Sequence, residues 1–146
     1  IFNPPFDELY VSRKEAGTTR NGDVVRVSGI EDIDATSVEV GWSNRQPNIG
    51  YLNILAEILF EGANARRASS GALGLAYVAD GRSDGYVELH MNAWDCLAGL
   101  LMVREAGGVI AGTCLGEDLR TGGSVLAATP KIAPVLSNAS GIVIDS

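Results

Sequence analysis

The chain has 146 residues, 46% of them apolar, and its 11 basic and 18 acidic residues give a formal net charge of −7. This length and apolar content predict a globular domain with its own core and argue against a disordered segment. Since no basic run exceeds Arg66-Arg67, the composition excludes a nucleic-acid groove, which needs clustered positive charge.

The cysteines and the chain start bear on location. Cys96 and Cys114 stand 18 positions apart with no second pair, a spacing that indicates neither a zinc site nor a disulfide framework. Cys96 lies in an apolar helical pattern, which favours a small core residue.

The apolar runs are too short to cross a bilayer, so we expect no membrane partner and a cytoplasmic protein. Because the chain opens on Ile1 and not on methionine, we expect it to be a piece of a longer protein.

The first third of the chain predicts strands. Leu9-Tyr10-Val11 is a short apolar run, and Asn21-Gly22 between β-prone segments is a strong hairpin signal because both residues tolerate positive φ. Thr36 to Trp42 alternates like a further strand. The following stretch, 44–50, is rich in Asn, Pro and Gly and predicts a loop.

Apolar residues then recur at helical spacing from Tyr51 to Phe60 and predict an amphipathic helix. Ser69 or Ser70 can cap a second helix, which Asp80-Gly81 ends. The remaining predicted elements are a strand over 86–89, a third helix entered directly after Asp95 and closed by Gly107-Gly108, strands at 109–110 and 125–127, and a last helix with Pro130 in its first turn, running through Leu136.

Strands followed by helices interleaved with strands predict an α/β fold, a layered mixed sheet with flanking helices. We expect one domain over residues 1–139 and a C-terminal tail over 140–146. The tail carries Ile142-Val143-Ile144, and the pattern leaves open whether it forms a strand or an ordered end.

Asp95 is the candidate for chemistry. An aspartate directly before a helix can cap the free N–H groups, and a remaining oxygen can bind a hard divalent cation, so the residues alone leave both roles open. Trp94 is expected to anchor the helix start with a buried ring, and Ala98-Gly99 to permit close helix packing. The only histidine, His90, is predicted to be structural, although it could reach a pocket rim.

Two longer runs carry a resemblance to a known family. The segment Trp94-Asp95-x-x-Ala98-Gly99, followed by Glu105-Ala106-Gly107-Gly108, closely resembles the C-terminal signature of the inositol monophosphatase family. The upstream run from Ser69-Ser70-Gly71 through Asp84-Gly85-Tyr86-x-Glu88 is similar to the family as well. The resemblance covers roughly residues 1–136 and implies the fold of that family's C-terminal half.

The resemblance implies a Mg²⁺-dependent phosphatase acting on inositol monophosphate or a similar phosphorylated polyol, in which a metal-activated water attacks phosphorus. Asp95 matches the family's C-terminal metal-ligand aspartate. Glu88 matches a carboxylate that hydrogen-bonds the hydroxyls of the polyol, and Ser69, Ser70 and Gly71 match a substrate-side segment. The resemblance also implies a homodimer. Where the family usually has Gly-Ser/Thr-Ala-Ala, this chain has Ser69-Ser70-Gly71-Ala72.

The family's N-terminal half supplies a glutamate metal ligand and an Asp-Pro-x-Asp-Gly-Thr-type motif, and neither occurs in this sequence. One carboxylate cannot hold Mg²⁺, so the chain alone is predicted to be inactive, with the missing N-terminal half as its partner. Alternatives stay open. One is a non-catalytic binding or interaction module derived from the phosphatase fold. The other is part of a relative acting on histidinol phosphate, fructose bisphosphate or phosphoadenosine nucleotides.

Overall fold

A computed structural model describes residues 1–115 and 119–144 of the chain. Two sheets and four α-helices form its framework in this part of the chain. In chain order the elements are β1 Phe2–Asn3, β2 Glu8–Ser12, β3 Thr18–Arg20, β4 Asp23–Val25, β5 Ser37–Val40, α1 Asn48–Phe60, β6 Asn64–Arg66, α2 Gly71–Ala79, β7 Gly85–Met91, α3 Ala93–Glu105, β8 Val109–Ala111, β9 Gly123–Ala128 and α4 Ala133–Ser140.

The first sheet is an antiparallel meander in the order β1-β2-β3-β4. Strands β3 and β4 pair with Arg20 opposite Asp23, so Asn21 and Gly22 alone form the turn. Both have positive φ, 50° and 89°, the geometry that suits the twist of a two-residue hairpin. The hairpin predicted from Asn-Gly is confirmed.

The second sheet has the order β6-β5-β7-β9-β8. Strand β5 lies parallel to both β6 and β7, whereas β9 runs antiparallel to β7 and β8. This mixed sheet, with helices packed against it, confirms the predicted α/β class. Helices α2 and α3 pack closely because Gly99 leaves room for Leu75: a Cβ on Gly99 would lie 2.5 Å from that of Leu75.

A buried polar network joins the first sheet to the end of α2. The Asp80 side chain is fully buried and pairs with Arg20 at 2.8 Å and with Arg82 at 2.7 Å. The Tyr10 hydroxyl donates to the same carboxylate at 2.9 Å. Burial, together with that hydrogen bond, raises the pKa of Tyr10, so the phenol stays protonated at neutral pH.

Some local predictions were wrong. Helix α1 begins at Asn48, inside the predicted loop, because Pro47 is compatible with a helix start. The last helix has Pro134, not Pro130, in its first turn. The Trp94 side chain is 73% exposed and anchors no core, whereas Cys96 is fully buried as expected.

The predicted tail divides in the structure. Ser140 is the last residue of α4, and Ile142 is buried in the core cluster beside Leu136. Residues 145 and 146 lie outside the described residues, and the boundary after residue 139 stays a prediction. Among the described residues, no helix combines the length and the apolar character needed to cross a bilayer.

Candidate functional site

A pocket of about 370 Å³ lies at the carboxyl ends of three parallel strands. Gly41 and Trp42 follow β5, the segment 67–70 follows β6, and Asn92 follows β7, and all of them line the pocket. In α/β sheets the carboxyl ends of parallel strands form a ready crevice, because the chain leaves the sheet there and loops fill the edge.

The N-termini of two helices also open into the pocket. Ser70 is the N-cap of α2, and its hydroxyl accepts a hydrogen bond from the Leu73 N–H at 3.4 Å, which confirms the predicted cap. Ser69, just before it, adopts a left-handed backbone with φ 63°. Gly71 opens the helix where a side chain would meet Met91 and the Tyr86 hydroxyl, at 2.5 and 2.9 Å. A side chain here would displace the ends of Met91 and Tyr86, so glycine suits the close approach of α2 to β7.

Asp95 lies in the first turn of α3, not at its N-cap. Asn92 occupies the capping position, and its side-chain amide donates to an Asp95 carboxylate oxygen at 3.2 Å. The prediction that α3 begins directly after Asp95 was wrong, because the helix already begins at Ala93. Of the two roles left open for Asp95, this position does not fit the N-cap. Asp95 is exposed and lines the pocket, so its carboxylate is available to a ligand.

Glu88 and Tyr86 form a hydrogen-bonded pair on β7. The Tyr86 hydroxyl donates to Glu88 Oε2 at 2.5 Å, and the two side chains share one face of the strand because they are two residues apart. Burial raises the pKa of Glu88; the tyrosine hydrogen bond opposes this shift, and the nearby Asp95 charge adds to it. Glu88 therefore keeps one constrained oxygen and one that can face a ligand.

Glu39 is a pocket residue that the sequence analysis missed. It lies in the middle of β5, is only 2% exposed, and accepts a hydrogen bond from the Ala68 N–H at 3.0 Å. Its other carboxylate oxygen lies 3.5 Å from Arg66 Nε. The signal was present, since a glutamate between Val38 and Val40 interrupts an apolar strand at a position that must be buried. Its contacts hold the 66–68 segment against β5.

Three further side chains shape the rim. His90 lines the pocket, and its Nε2 lies 2.9 Å from the Thr121 carbonyl oxygen. The Arg67 guanidinium lies over the Trp42 ring, 5.7 Å from its centroid, a favourable cation–π arrangement. His90 thus lies at the pocket, and its predicted structural role fits its contact with the Thr121 backbone.

The structure brings all five predicted site residues to one pocket. They are Asp95, Glu88, Ser69, Ser70 and Gly71. A magnesium site is a different matter: in residues 1–115 and 119–144, no group of three His, Cys, Asp or Glu side chains is placed to hold a metal ion. Magnesium requires several oxygen ligands in near-octahedral geometry. These residues alone therefore do not fit a complete Mg²⁺ site, and Asp95 offers one accessible ligand.

Comparison with curated proteins gives close relatives. The chain is 38% identical over 145 residues to an inositol-1-monophosphatase of Mesorhizobium japonicum. This match covers 95% of this chain and 53% of the relative. It is 35% identical over 138 residues to the Nus factor SuhB of Escherichia coli K12, covering 93% of this chain and 52% of the relative. The chain thus spans about half the length of the curated relatives it matches.

Solved structures agree with these relatives. An extragenic suppressor protein suhB from Bartonella henselae superposes with a TM-score of 0.86 at 34% identity, covering 95% of this chain and 54% of that one. An inositol monophosphatase from Anabaena gives 0.82 at 30% identity, covering 95% and 56%. The model of the inositol monophosphatase family matches residues 1–142. On this match and these identities, the chain belongs to the inositol monophosphatase family.

Proposed function

We propose that this chain forms part of the active site of a Mg²⁺-dependent phosphatase that hydrolyses inositol monophosphate or a similar phosphorylated polyol. The observation that carries the proposal is the convergence of Asp95, Glu88 and the 69–71 segment, from three separate elements, on one pocket. Family membership supports phosphatase chemistry, and the inositol-1-monophosphatase of Mesorhizobium japonicum is a relative with that activity in its name.

The pocket's electrostatics suit a phosphate ester. Helices α2 and α3 both begin at the pocket, and helix N-termini present unpaired N–H groups and a partial positive charge. Arg45 and Arg67 also line it. These groups favour an anionic ligand, whereas Glu39, Glu88 and Asp95 favour hydroxyl groups and cations. A phosphorylated polyol with divalent cations satisfies both sets.

In this proposal each side chain has a binding role. The free oxygen of Glu88 accepts a hydrogen bond from a polyol hydroxyl, while the Tyr86 hydroxyl fixes the carboxylate's orientation. The 69–71 segment presents backbone N–H groups and the Ser69 hydroxyl toward the same polyol. Ser70 acts differently, because its hydroxyl oxygen is already used at the helix cap and holds the segment in place.

Asp95 would supply one oxygen ligand to Mg²⁺ at a site that residues outside this chain complete. A Mg²⁺ ion held there would supply a Lewis acid that activates water and offsets the phosphate charge. Because the family's glutamate ligand and its Asp-Pro-x-Asp-Gly-Thr-type motif do not occur in this sequence, the chain alone is proposed to be inactive. Phosphate hydrolysis is proposed for the complete protein that contains this chain.

The decisive experiment is Asp95→Asn in the complete protein. We expect Mg²⁺-dependent phosphate release from inositol monophosphate to fall by at least about 100-fold, because the neutral amide is a much weaker magnesium ligand. Asp23→Asn is the matched control, because Asp23 is exposed, lies in the hairpin of the first sheet and is distant from Asp95 in the sequence. This variant should leave turnover unchanged. Near-normal turnover by Asp95→Asn would contradict the assignment of Asp95.

The substrate within the class is open to a direct test. Inositol monophosphate, histidinol phosphate, fructose bisphosphate and a phosphoadenosine nucleotide can be compared at equal concentration with the complete protein. We expect the highest kcat/KM for the polyol monophosphate, because Glu88 and the 69–71 segment offer several groups to hydroxyls. A preference for any of the others would move the protein to that branch of the class.

A second candidate function is a non-catalytic interaction module. One observation favours it: several relatives at 35% identity carry the name Nus factor SuhB and no phosphatase name. The coding sequence upstream of Ile1 separates the candidates, since an Asp-Pro-x-Asp-Gly-Thr segment there would supply the further metal carboxylates. With such a segment absent and no phosphate release from any substrate in the panel, the interaction module would be preferred.

The proposal also covers the oligomeric state and the cellular location of the complete protein. We propose that the complete protein is a cytoplasmic homodimer in which this chain packs against the missing N-terminal half. Exposed apolar side chains on the first sheet and in the turn between its first two strands support a covering partner; they include Phe2, Phe6, Leu9 and Val24. Light scattering of the complete protein measures the assembly, and a monomeric mass would contradict the dimer.

A further inference from the structure

Two cysteines that the proposed function does not use lie in direct contact. The Sγ atoms of Cys96 and Cys114 are 2.6 Å apart, and both residues are buried, with exposures of 0% and 3%. Both are free thiols in the structure. The spacing of 18 positions gave no hint of this, because the contact is created by the fold: Cys96 lies in α3 and Cys114 follows β8.

Each cysteine is held in place by its own surroundings. Cys96 lies near the N-terminus of α3, three residues after Ala93, and its sulfur approaches the Ala93 carbonyl at 3.8 Å. On the other side, the Thr113 backbone and hydroxyl exchange hydrogen bonds with Ser124 in β9, at 3.1 and 2.9 Å. The Cys114 sulfur also approaches the Met91 carbonyl at 3.9 Å. The two sulfurs are therefore presented to each other by anchored backbone.

We propose that Cys96 and Cys114 are a disulfide-forming pair, oxidised by a low-molecular-weight disulfide such as glutathione disulfide. The thiolate of one cysteine attacks a glutathione sulfur, forms a mixed disulfide and releases one glutathione. The second cysteine attacks the protein sulfur of that mixed disulfide and releases the second glutathione. The two electrons reduce glutathione disulfide, and the two thiol protons leave with the two glutathiones, so the exchange balances.

The bond would tie the start of α3 to the connection between β8 and β9. It would close a short loop of the chain, which restricts the unfolded state and stabilises the folded one. Because Asp95 is the residue before Cys96, the constraint acts on the helical turn that carries the candidate metal ligand. The pair is thus a covalent modification site placed next to the pocket, and its existence does not depend on the proposed function.

The test uses the chain incubated in glutathione buffers of increasing oxidising strength and quenched with acid. Trypsin cuts after Arg104, between the two cysteines, so a disulfide appears as a pair of linked peptides that dithiothreitol separates. We expect one linked pair, loss of both free thiols, a rise in Tm of about 5 °C and slower amide hydrogen exchange at 93–96. The double variant Cys96→Ala/Cys114→Ala is the matched control and should show no Tm change between the buffers.

A second sample, refolded from denaturant in the same oxidising buffer, is the control for access of glutathione disulfide to the buried sulfurs. Retention of both thiols in this sample as well would overturn the proposal. So would a stable glutathione adduct, a bond between two chains, or an oxidised form with a lower Tm than the reduced one. Cys96→Ser and Cys114→Ser should each leave a single free thiol that does not pair.

Discussion

At the scale of single residues, Glu88 links pocket chemistry to stability. Burial raises its pKa, so the folded state holds the proton more tightly than the unfolded state. The stability from this group is present in full below its unfolded pKa of about 4 and is lost as pH rises through the folded pKa. The charged Glu88 thus opposes folding at neutral pH, which is the cost of keeping a carboxylate in the pocket.

Glu88→Gln tests this sign. We expect the variant to be more stable than the parent at neutral pH, by less than about 1 kcal/mol because the group is only half-buried. The advantage should vanish in acid, where the parent carboxyl is protonated. Tm measured across that pH range checks the trend, and a variant less stable at neutral pH would show that the tyrosine hydrogen bond outweighs burial.

Gly41 is the second residue-scale case. A Cβ at this position would lie 2.1 Å from Glu88 Oε2 and 2.5 Å from the Tyr86 hydroxyl. Since these are the ends of movable side chains, Gly41→Ala should cost only about 1 kcal/mol of stability. It should displace the Glu88 carboxylate and raise KM for the polyol phosphate in the complete protein. Gly29→Ala, where nothing lies within 4 Å of the new Cβ, is the control and should leave KM unchanged.

Residue identity alone predicted some of these features and missed others. Ser70 as a cap and Asn21-Gly22 as a turn were predictable, because each depends on a few neighbouring backbone groups. The exposure of Trp94 was not, because burial depends on what packs against α3. The contact between Cys96 and Cys114 was equally invisible, since it needs the sheet to bring β8 beside that helix.

At the scale of elements, the α2–α3 contact positions both helix N-termini at the pocket. Gly99→Ala would place a methyl group 2.5 Å from Leu75 Cβ. Because a Cβ is bonded directly to the backbone, side-chain rotation cannot move it out of the way. Alanine favours a helix over glycine by about 1 kcal/mol, but the overpacking penalty of about 2–3 kcal/mol should win. We therefore expect a net loss of about 1–2 kcal/mol in urea unfolding.

A double-mutant cycle isolates the steric cause. Leu75→Gly removes the Cβ that the new methyl group meets, and alone it should destabilise the protein by creating a cavity and by placing glycine in a helix. If the clash is the cause, adding Gly99→Ala to Leu75→Gly should cost nothing further or should stabilise. Equal penalties in both backgrounds would instead place the effect within α3 itself.

Element order was more predictable than element boundaries. Apolar periodicity predicted the helices around 51–60 and 71–79 and the strand around 86–89, because these segments bury one continuous face. The start of α1 at Asn48 and of α4 at Ala133 were missed. At both, a proline suits either a loop or a first helical turn, and only tertiary packing decides between them.

At the scale of the whole molecule, the convergence of Asp95, Glu88 and Ser69 follows from parallel pairing of β5 with β6 and β7. The sequence places these residues far apart, and periodicity says nothing about strand order. Their common location was expected only through the family resemblance. Once the strand order is known, the carboxyl ends of the parallel strands must share one edge, and the pocket follows.

The two sheets are coupled through Asp80, and this coupling can be broken. Asp80→Ala leaves Arg20 and Arg82 without their buried partner and the Tyr10 hydroxyl without its acceptor. Breaking a buried pair costs about 3–5 kcal/mol, and we expect the lower end because both arginines are more than a third exposed.

Hydrogen exchange should accelerate in β2 and β3 before it does in β7 and β9, since the first sheet loses its attachment to α2. Asp23→Asn, on the same sheet but solvent-exposed, should change neither stability nor exchange. Uniform acceleration across both sheets would mean that Asp80 supports the core as a whole and not the docking of the first sheet.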